Sequence, residues 1–138
     1  MMIPYTRYKA SDGHLVRLPL VSIRLATNRK HETIWALIDS GADCCVFSAE
    51  IADLLDIDLT TGRELPLSGF VGGDSPAWLH QINLTLAGYP GININAAFTN
   101  SDKPELSILG QAGFFDNFQI RFQRYKDLIE IYPKSTSI

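Results

Sequence analysis

An acidic residue follows an apolar run in residues 34–45, which read IWALIDSGADCC. Asp39, Ser40 and Gly41 are ordinary turn residues, so the stretch is compatible with a simple turn at the end of a strand. A carboxylate at the mouth of a buried strand is also a place where the surroundings can tune a pKa for proton transfer. The residues alone therefore leave two interpretations of Asp39, a turn-forming acid or a chemically active one.

The other residues that could do chemistry are two cysteines and three histidines. Cys44 and Cys45 are adjacent, which suits a disulfide poorly because that bond demands a specific geometry. His14, His31 and His80 are scattered without the spacing of a zinc site. A cysteine nucleophile with His80 as its base is a weaker alternative. The sequence holds no P-loop, GxGxxG or GxSxG motif, and we expect neither a metal nor a cofactor.

Length and composition are those of one globular domain over residues 1–138, with 46% hydrophobic and 20% charged residues. A net charge of -3 gives no basic footprint for nucleic acid, so a nucleic-acid partner is not expected. No stretch has the form of a signal peptide or approaches the ~20 apolar residues that cross a bilayer. We therefore expect no membrane association and a cytoplasmic location.

The hydrophobic pattern alternates with a period of two along most of the chain, which predicts strands. About nine short strands and one helix, capped by Ser48, indicate a mainly antiparallel, closed or sandwich-like sheet. Trp35, Trp78, Phe114 and Phe115 are expected in its core, with the alternative that one of the tryptophans lines a substrate pocket. A strand over 5–9 is predicted to pair with one over 15–25, and the strand over 33–38 is apolar on both faces. The helix is predicted to begin at 48 in SAEIADLLDID. The other predicted strands are 44–47, the two arms of a glycine-tipped hairpin within 64–86, 92–98, 106–109 and a C-terminal hairpin.

The segment LIDSGADCCVFSAEIADLL resembles the active-site segment of retroviral-type aspartic proteases, in which apolar residues lead into Asp-Ser/Thr-Gly-Ala, a strand and a helix. The glycine-tipped hairpin resembles the flap of that family, and Ile108-Leu109-Gly110 resembles its later motif of two aliphatic residues and a glycine. The stretch ILGQAGFFDNFQIRF is similar to the bacterial chromosomal branch in particular. The resemblance spans roughly residues 15–132 and so covers nearly the whole chain.

This resemblance implies a mainly β, closed antiparallel acid-protease-like barrel with one short helix, a flap hairpin at about 65–80 and a C-terminal hairpin at about 117–132. Gly110 is expected to be structural, letting the chain pass tightly behind the catalytic loop. The residues implied in catalysis are Asp39, Ser40 and Gly41, and those implied in substrate binding are Ala42, Asp43, Val71, Gly72 and Gly73.

Peptide hydrolysis by water needs one group to remove the water proton and another to protonate the carbonyl oxygen. Two carboxyls that share a proton do both, since like charges close together cannot both ionise readily, as aspartic proteases illustrate. This sequence holds a single Asp-Ser-Gly motif. A pair of carboxyls therefore requires a two-fold homodimer, which places Asp39 of one copy opposite Asp39 of the other.

Two features depart from the viral pattern. Viral members usually place an arginine after the late glycine, paired with the acid that aligns with Asp43, whereas Gln111 cannot form that ion pair. The 28 residues from 111 to 138 also make a longer ending than the viral one. We expect this tail either to build the dimer differently or to cover the surface that would otherwise pair.

The function expected from these features is that of an aspartic endopeptidase acting on extended peptides with apolar residues around the scissile bond. Peptide or protein substrates and a second copy of the chain are its expected partners. One alternative is a catalytically silent peptide-binding or regulatory module that keeps the fold. A weaker one is a barrel that binds a small apolar ligand, for which the sequence offers no polar constellation.

Overall fold

The computed structural model of the chain describes residues 1–67, 75–100 and 106–135, with only the backbone of Pro66, Leu67 and Ser75. Twelve strands and one α-helix lie in these ranges. Short 3-10 turns lie at Leu59–Thr61 and Arg124–Lys126. The elements are β1 (Met2–Pro4), β2 (Thr6–Lys9), β3 (Leu15–Leu18), β4 (Leu20–Ala26), β5 (His31–Ile38), β6 (Val46–Phe47), α1 (Ala49–Leu54), β7 (Arg63–Leu67), β8 (Ser75–Leu86), β9 (Ile92–Thr99), β10 (Ser107–Leu109), β11 (Phe118–Gln123) and β12 (Leu128–Pro133).

Six strands close into a barrel in the order β4-β5-β10-β6-β9-β8, because β8 pairs back onto β4. β7 extends the sheet along the other part of β8. The pairings β10–β5 and β6–β9 are parallel, and the other pairings in the barrel are antiparallel. The predicted fold class, a mainly β closed barrel with one short helix, is confirmed.

The barrel interior is filled by alternate residues of its strands. On β4, for example, Val21, Ile23 and Leu25 are buried, while Ser22 and Arg24 between them are more exposed. Burying a large aliphatic or aromatic side chain contributes roughly 1.5–3 kcal/mol, so this alternation selects the face that points inward. The core continues beneath the C-terminal hairpin through side chains such as Ile129.

The predicted strand over 15–25 is divided at Pro19 into β3 and β4, which belong to different sheets. Proline has no N–H to donate, which makes it a poor residue for the middle of a paired strand. Its carbonyl oxygen still accepts a hydrogen bond from the Ile38 N–H at 2.9 Å. β3 instead pairs with β2 as a separate hairpin.

Four local predictions were wrong. Only one face of β5 is well covered, and Trp35 is 62% exposed rather than in the core, because it lies opposite Ser22 on the outer side of the barrel. The strand predicted over 44–47 is confined to β6. The helix begins after the Ser48 cap as predicted, but it ends at Leu54, shortly before Asp56 adopts a positive φ of 58°.

The C-terminal tail forms a hairpin of β11 and β12, and β12 also pairs with β1 of the same chain. The resulting three-stranded sheet has the order β1-β12-β11. The tail therefore completes a sheet within one protomer, with β1 and β11 as its outer strands. Among the described residues, no helix is long and apolar enough to cross a membrane.

Candidate active site

Asp39 lies directly after β5, at the start of a tight turn. Its carbonyl oxygen accepts a hydrogen bond from the Ala42 N–H at 3.2 Å, which closes a four-residue turn. Its side-chain Oδ1 accepts a hydrogen bond from the Gly41 N–H at 2.9 Å. A short acidic side chain that bonds the backbone two residues on is a common turn stabiliser. These contacts fix the orientation of the carboxyl, which is partly exposed.

A second segment, residues 109–112, holds this turn from behind. The Asp39 N–H donates to the Leu109 carbonyl oxygen at 3.0 Å, and the Gln111 N–H donates to that of Ala42 at 2.8 Å. The Ala112 N–H donates to the Asp43 carbonyl oxygen, also at 2.8 Å. The acid-bearing turn is thus bonded through its backbone to the strand end that carries the later glycine.

Gly110 is required at this crossing. A Cβ added there would lie 2.2 Å from the carbonyl oxygen of Cys44 and 2.8 Å from that of Ala42. Real Cβ atoms do not approach backbone atoms so closely, hence a larger residue would push the two segments apart. The structural role predicted for Gly110 agrees with this close approach.

The side chain of Gln111 makes a hydrogen bond that the sequence pattern does not predict. Its Nε2 donates to the Ser40 carbonyl oxygen at 2.7 Å, within the acid-bearing turn. The family resemblance points only to an ion pair at this position, which a glutamine cannot make. The signal that could have suggested this contact is an amide donor at position 111, directly after the glycine expected to pass behind the acid-bearing turn, whose carbonyl groups need donors.

A small apolar cluster anchors the turn to the outer side of the barrel wall. Ala42 is 4% exposed and packs with Val46, Ala77, Ala97 and Ile108. Partly buried side chains, including that of Cys44, complete the cluster. Burial of Ala42 leaves its neighbours Gly41 and Asp43 on the exposed side of the turn.

The predicted site residues are therefore distributed unequally. Ser40, Gly41 and Asp43 are exposed and Asp39 is partly exposed, so the polar part of the turn is open to solvent. Ala42 is buried beneath it. The predicted flap residues Val71, Gly72 and Gly73 lie outside the described residues.

The cysteine alternative receives no support from the geometry. Burial raises the pKa of the Cys45 thiol to about 11, the opposite of what an activated nucleophile needs. Burial, followed by the charge of Asp43, also raises the pKa of Cys44. His80 packs edge-on against Phe98, and its Nε2 is hydrogen-bonded to the Leu59 carbonyl oxygen at 2.8 Å. Within the described part of the chain, no cluster of three or more metal-ligating side chains occurs.

The fold and the turn together define an acid-protease-like barrel with one Asp-Ser-Gly turn in the chain. The chain belongs to the aspartyl protease family, whose model matches residues 11–112. A retropepsin-like aspartic protease from Rickettsia conorii has a similar structure, with a TM-score of 0.60 and 21% identity over 96% of this chain and 98% of that one. The EIAV protease in complex with the inhibitor HBY-793 has a TM-score of 0.49 and 22% identity over 68% of this chain and 82% of that one. No curated protein sequence matches.

Proposed function

We propose that this protein is an aspartic endopeptidase whose active form is a homodimer with one Asp39 carboxyl from each copy. The observation that carries the proposal is the Asp39 turn itself: its carboxyl is oriented by the Gly41 N–H, and its backbone is bonded to residues 109–112. Family membership supports the same activity. A single acid in this turn cannot act as both proton acceptor and proton donor, so the site needs a second copy.

In the proposed mechanism, a water molecule lies between the two Asp39 carboxyls. The ionised carboxyl removes a proton from the water while the protonated one donates to the carbonyl oxygen of the peptide bond. Gly41 lacks a Cβ, which lets the two turns approach each other at the two-fold axis. The hydrogen bonds to residues 109–112 keep each carboxyl in position, which reduces the reorganisation needed during the reaction.

Substrate binding is proposed to use the residues around this turn. Asp43 is exposed beside the acid and is a suitable acceptor for main-chain N–H groups of an extended peptide. Ala42 and the apolar cluster behind it are consistent with apolar side chains near the scissile bond. Val71, Gly72 and Gly73 are proposed to close over the peptide and exclude water, a role for which the family resemblance is the only support.

The proposal is tested by Asp39→Asn, since an asparagine Oδ1 can keep the hydrogen bond from the Gly41 N–H and so preserve the fold. Cleavage of a peptide mixture is measured by mass spectrometry after reactions at acidic to neutral pH. The substitution is expected to decrease the cleavage rate by about 10²- to 10⁴-fold. The control variant is Asp12→Asn, which alters an exposed acid in a distant hairpin turn. Full cleavage by Asp39→Asn with unchanged products would assign the activity to another site or to a contaminant.

Mixing the two chains tests whether both copies contribute. If each active dimer needs two Asp39 carboxyls, a ninefold excess of Asp39→Asn chain over a fixed amount of wild type should reduce cleavage to about one tenth after subunit exchange. Cleavage that is insensitive to this excess would show that one chain is sufficient.

A further inference from the structure

The hairpin of β2 and β3 carries basic side chains on one face. Arg7 lies opposite Arg17 in this hairpin, and Lys9 lies opposite Leu15. Side chains alternate between the two faces along a strand, and directly paired residues share a face, so these four side chains lie on the same side. Leu15 is 71% exposed. One face of the hairpin therefore combines three cations with an exposed aliphatic side chain.

The turn between β11 and β12 lies against this face. Arg7 Nη2 forms an ion pair with Asp127 Oδ2 at 2.8 Å, and Arg17 Nη1 lies 3.6 Å from Asp127 Oδ1. Arg17 Nη1 also donates to the Arg124 carbonyl oxygen at 3.2 Å. These contacts hold the 3-10 turn Arg124–Lys126 beside the hairpin. We call this turn and the hairpin face together the basic patch.

The turn adds two cations and an aromatic ring to the surface. Arg124 and Lys126 are exposed, and Tyr125 between them is 81% exposed, the highest value for a large apolar side chain in the described ranges. Lys126 Nζ lies 5.6 Å from the centre of the Tyr125 ring. The basic patch thus presents two exposed apolar side chains, those of Leu15 and Tyr125, among five cations.

Charge is distributed unevenly over the chain. Residues 6–18 and 123–128 contain five basic and two acidic residues, a net charge of +3. Because the whole sequence carries -3, the remaining residues carry -6. Of the two acids, Asp127 is contacted by two arginines and Asp12 by His14. The net charge of the whole chain therefore conceals a local positive surface.

These features fit the surface of a bilayer that contains anionic phospholipid. Lysine and arginine are attracted by the negative potential of such a surface. Leucine and tyrosine gain from entering the boundary between headgroups and acyl chains, a gain that a soluble acidic peptide does not offer. The acidic remainder of the molecule is repelled by the same potential, which turns the basic patch toward the bilayer.

We infer that the basic patch is a peripheral binding site for anionic phospholipid, which holds the protein on a bilayer surface. The contributions of single side chains are small, so binding is reversible and weakens with salt. The expectation of no membrane association rests on segments that could cross a bilayer or form a signal peptide, and it does not address surface binding. None of the residues of the basic patch belongs to the Asp39 turn or to residues 109–112, so membrane binding is independent of peptide cleavage.

Co-sedimentation of the full chain with vesicles tests the charge contribution. Vesicles of phosphatidylcholine are compared with vesicles in which part of this lipid is replaced by anionic phosphatidylglycerol. The wild type should bind the anionic vesicles alone, and less at high salt. Neutralising one cation is expected to weaken binding about fivefold, so Lys126→Gln should bind about fivefold more weakly and Lys9→Gln/Lys126→Gln roughly 25-fold more weakly. Lys30 is exposed beyond the far end of β4, and Lys30→Gln, the matched control, should bind like the wild type.

Leu15→Ala and Tyr125→Ala test the apolar contribution, because both leave the charge unchanged. Each should weaken binding to anionic vesicles by roughly 4- to 50-fold, by a factor that high salt does not reduce. Full binding by both variants, with a loss in the lysine variants, would assign the basic patch to soluble polyanions and overturn the inference. A wild type that binds neither kind of vesicle, or both equally, would also overturn it, as would a loss in Lys30→Gln equal to that in Lys126→Gln.

Discussion

Gly110→Ala is the substitution whose effect can be worked out most directly from the structure. The new methyl group would lie 2.2 Å from the Cys44 carbonyl oxygen, 2.6 Å from the Cys44 carbonyl carbon and 2.8 Å from the Ala42 carbonyl oxygen. All three atoms belong to the backbone, so no side-chain rotation can relieve the overlap. The segment 109–112 must move away from the Asp39 turn.

Two contributions set the size of the effect. Forcing an extra carbon into a packed site costs about 1–3 kcal/mol. The same movement lengthens the hydrogen bonds from Gln111 and Ala112 to the acid-bearing turn, each with a net contribution of about 0.5–1.5 kcal/mol. The expected loss in the free energy of unfolding is therefore about 2–6 kcal/mol, a large part of the 5–15 kcal/mol typical of a domain.

Urea unfolding at one fixed protein concentration measures this loss, because any self-association would make the stability depend on concentration. With an m-value of about 1.5 kcal/mol/M, the midpoint should fall by about 1–4 M. Gly13→Ala is the control: its φ of +90° makes alanine strained, but an added Cβ meets nothing within 4 Å. If Gly110→Ala is less destabilising than Gly13→Ala, the close crossing of the two segments is not a real constraint.

Two further substitutions have effects that follow from single groups. Gln111→Ala removes the 2.7 Å bond to the Ser40 carbonyl oxygen and should lower the free energy of unfolding by about 0.5–1.5 kcal/mol, whereas Gln111→Glu should lower it more because two acceptors then face each other. Burial raises the pKa of Cys45 from 9.0 to about 11, so the folded state holds this proton longer than the unfolded state does. Stability should be unaffected by this thiol below about pH 9 and then decrease up to about pH 11, by at most about 3 kcal/mol at ~1.4 kcal/mol per pH unit. Urea titrations at each pH measure both effects; a slope in Cys45→Ala as steep as that of the wild type would contradict the second.

The parts of the fold that the sequence predicted are those that depend on local pattern. Alternating apolar residues predicted the strands of the barrel, and a hydroxyl before an apolar helical stretch predicted the Ser48 cap, whose Oγ accepts from the Ile51 N–H at 3.4 Å. Pro19 is a local signal for the division of the strand over 15–25, since a proline argues against an uninterrupted central strand.

The parts that were not predicted depend on which surfaces meet. An apolar run such as β5 does not reveal whether one or both of its faces are covered, and Trp35 became exposed because nothing in the described chain covers its side of the barrel fully. The contact of Gln111 with Ser40 likewise joins residues 71 positions apart. Sequence patterns specify neither the exposure of Trp35 nor the bond of Gln111 to Ser40, because both are set by how distant segments come together.

Gln111 supports the acid-bearing turn without the ion pair that an arginine at this position could form with Asp43. An ion pair between exposed side chains is screened by water and salt and contributes little on its own. The Gln111 amide instead bonds a backbone carbonyl of the same chain, alongside two backbone bonds from residues 111 and 112. The hydrogen bonds that hold the Asp39 turn in place therefore all lie within one chain.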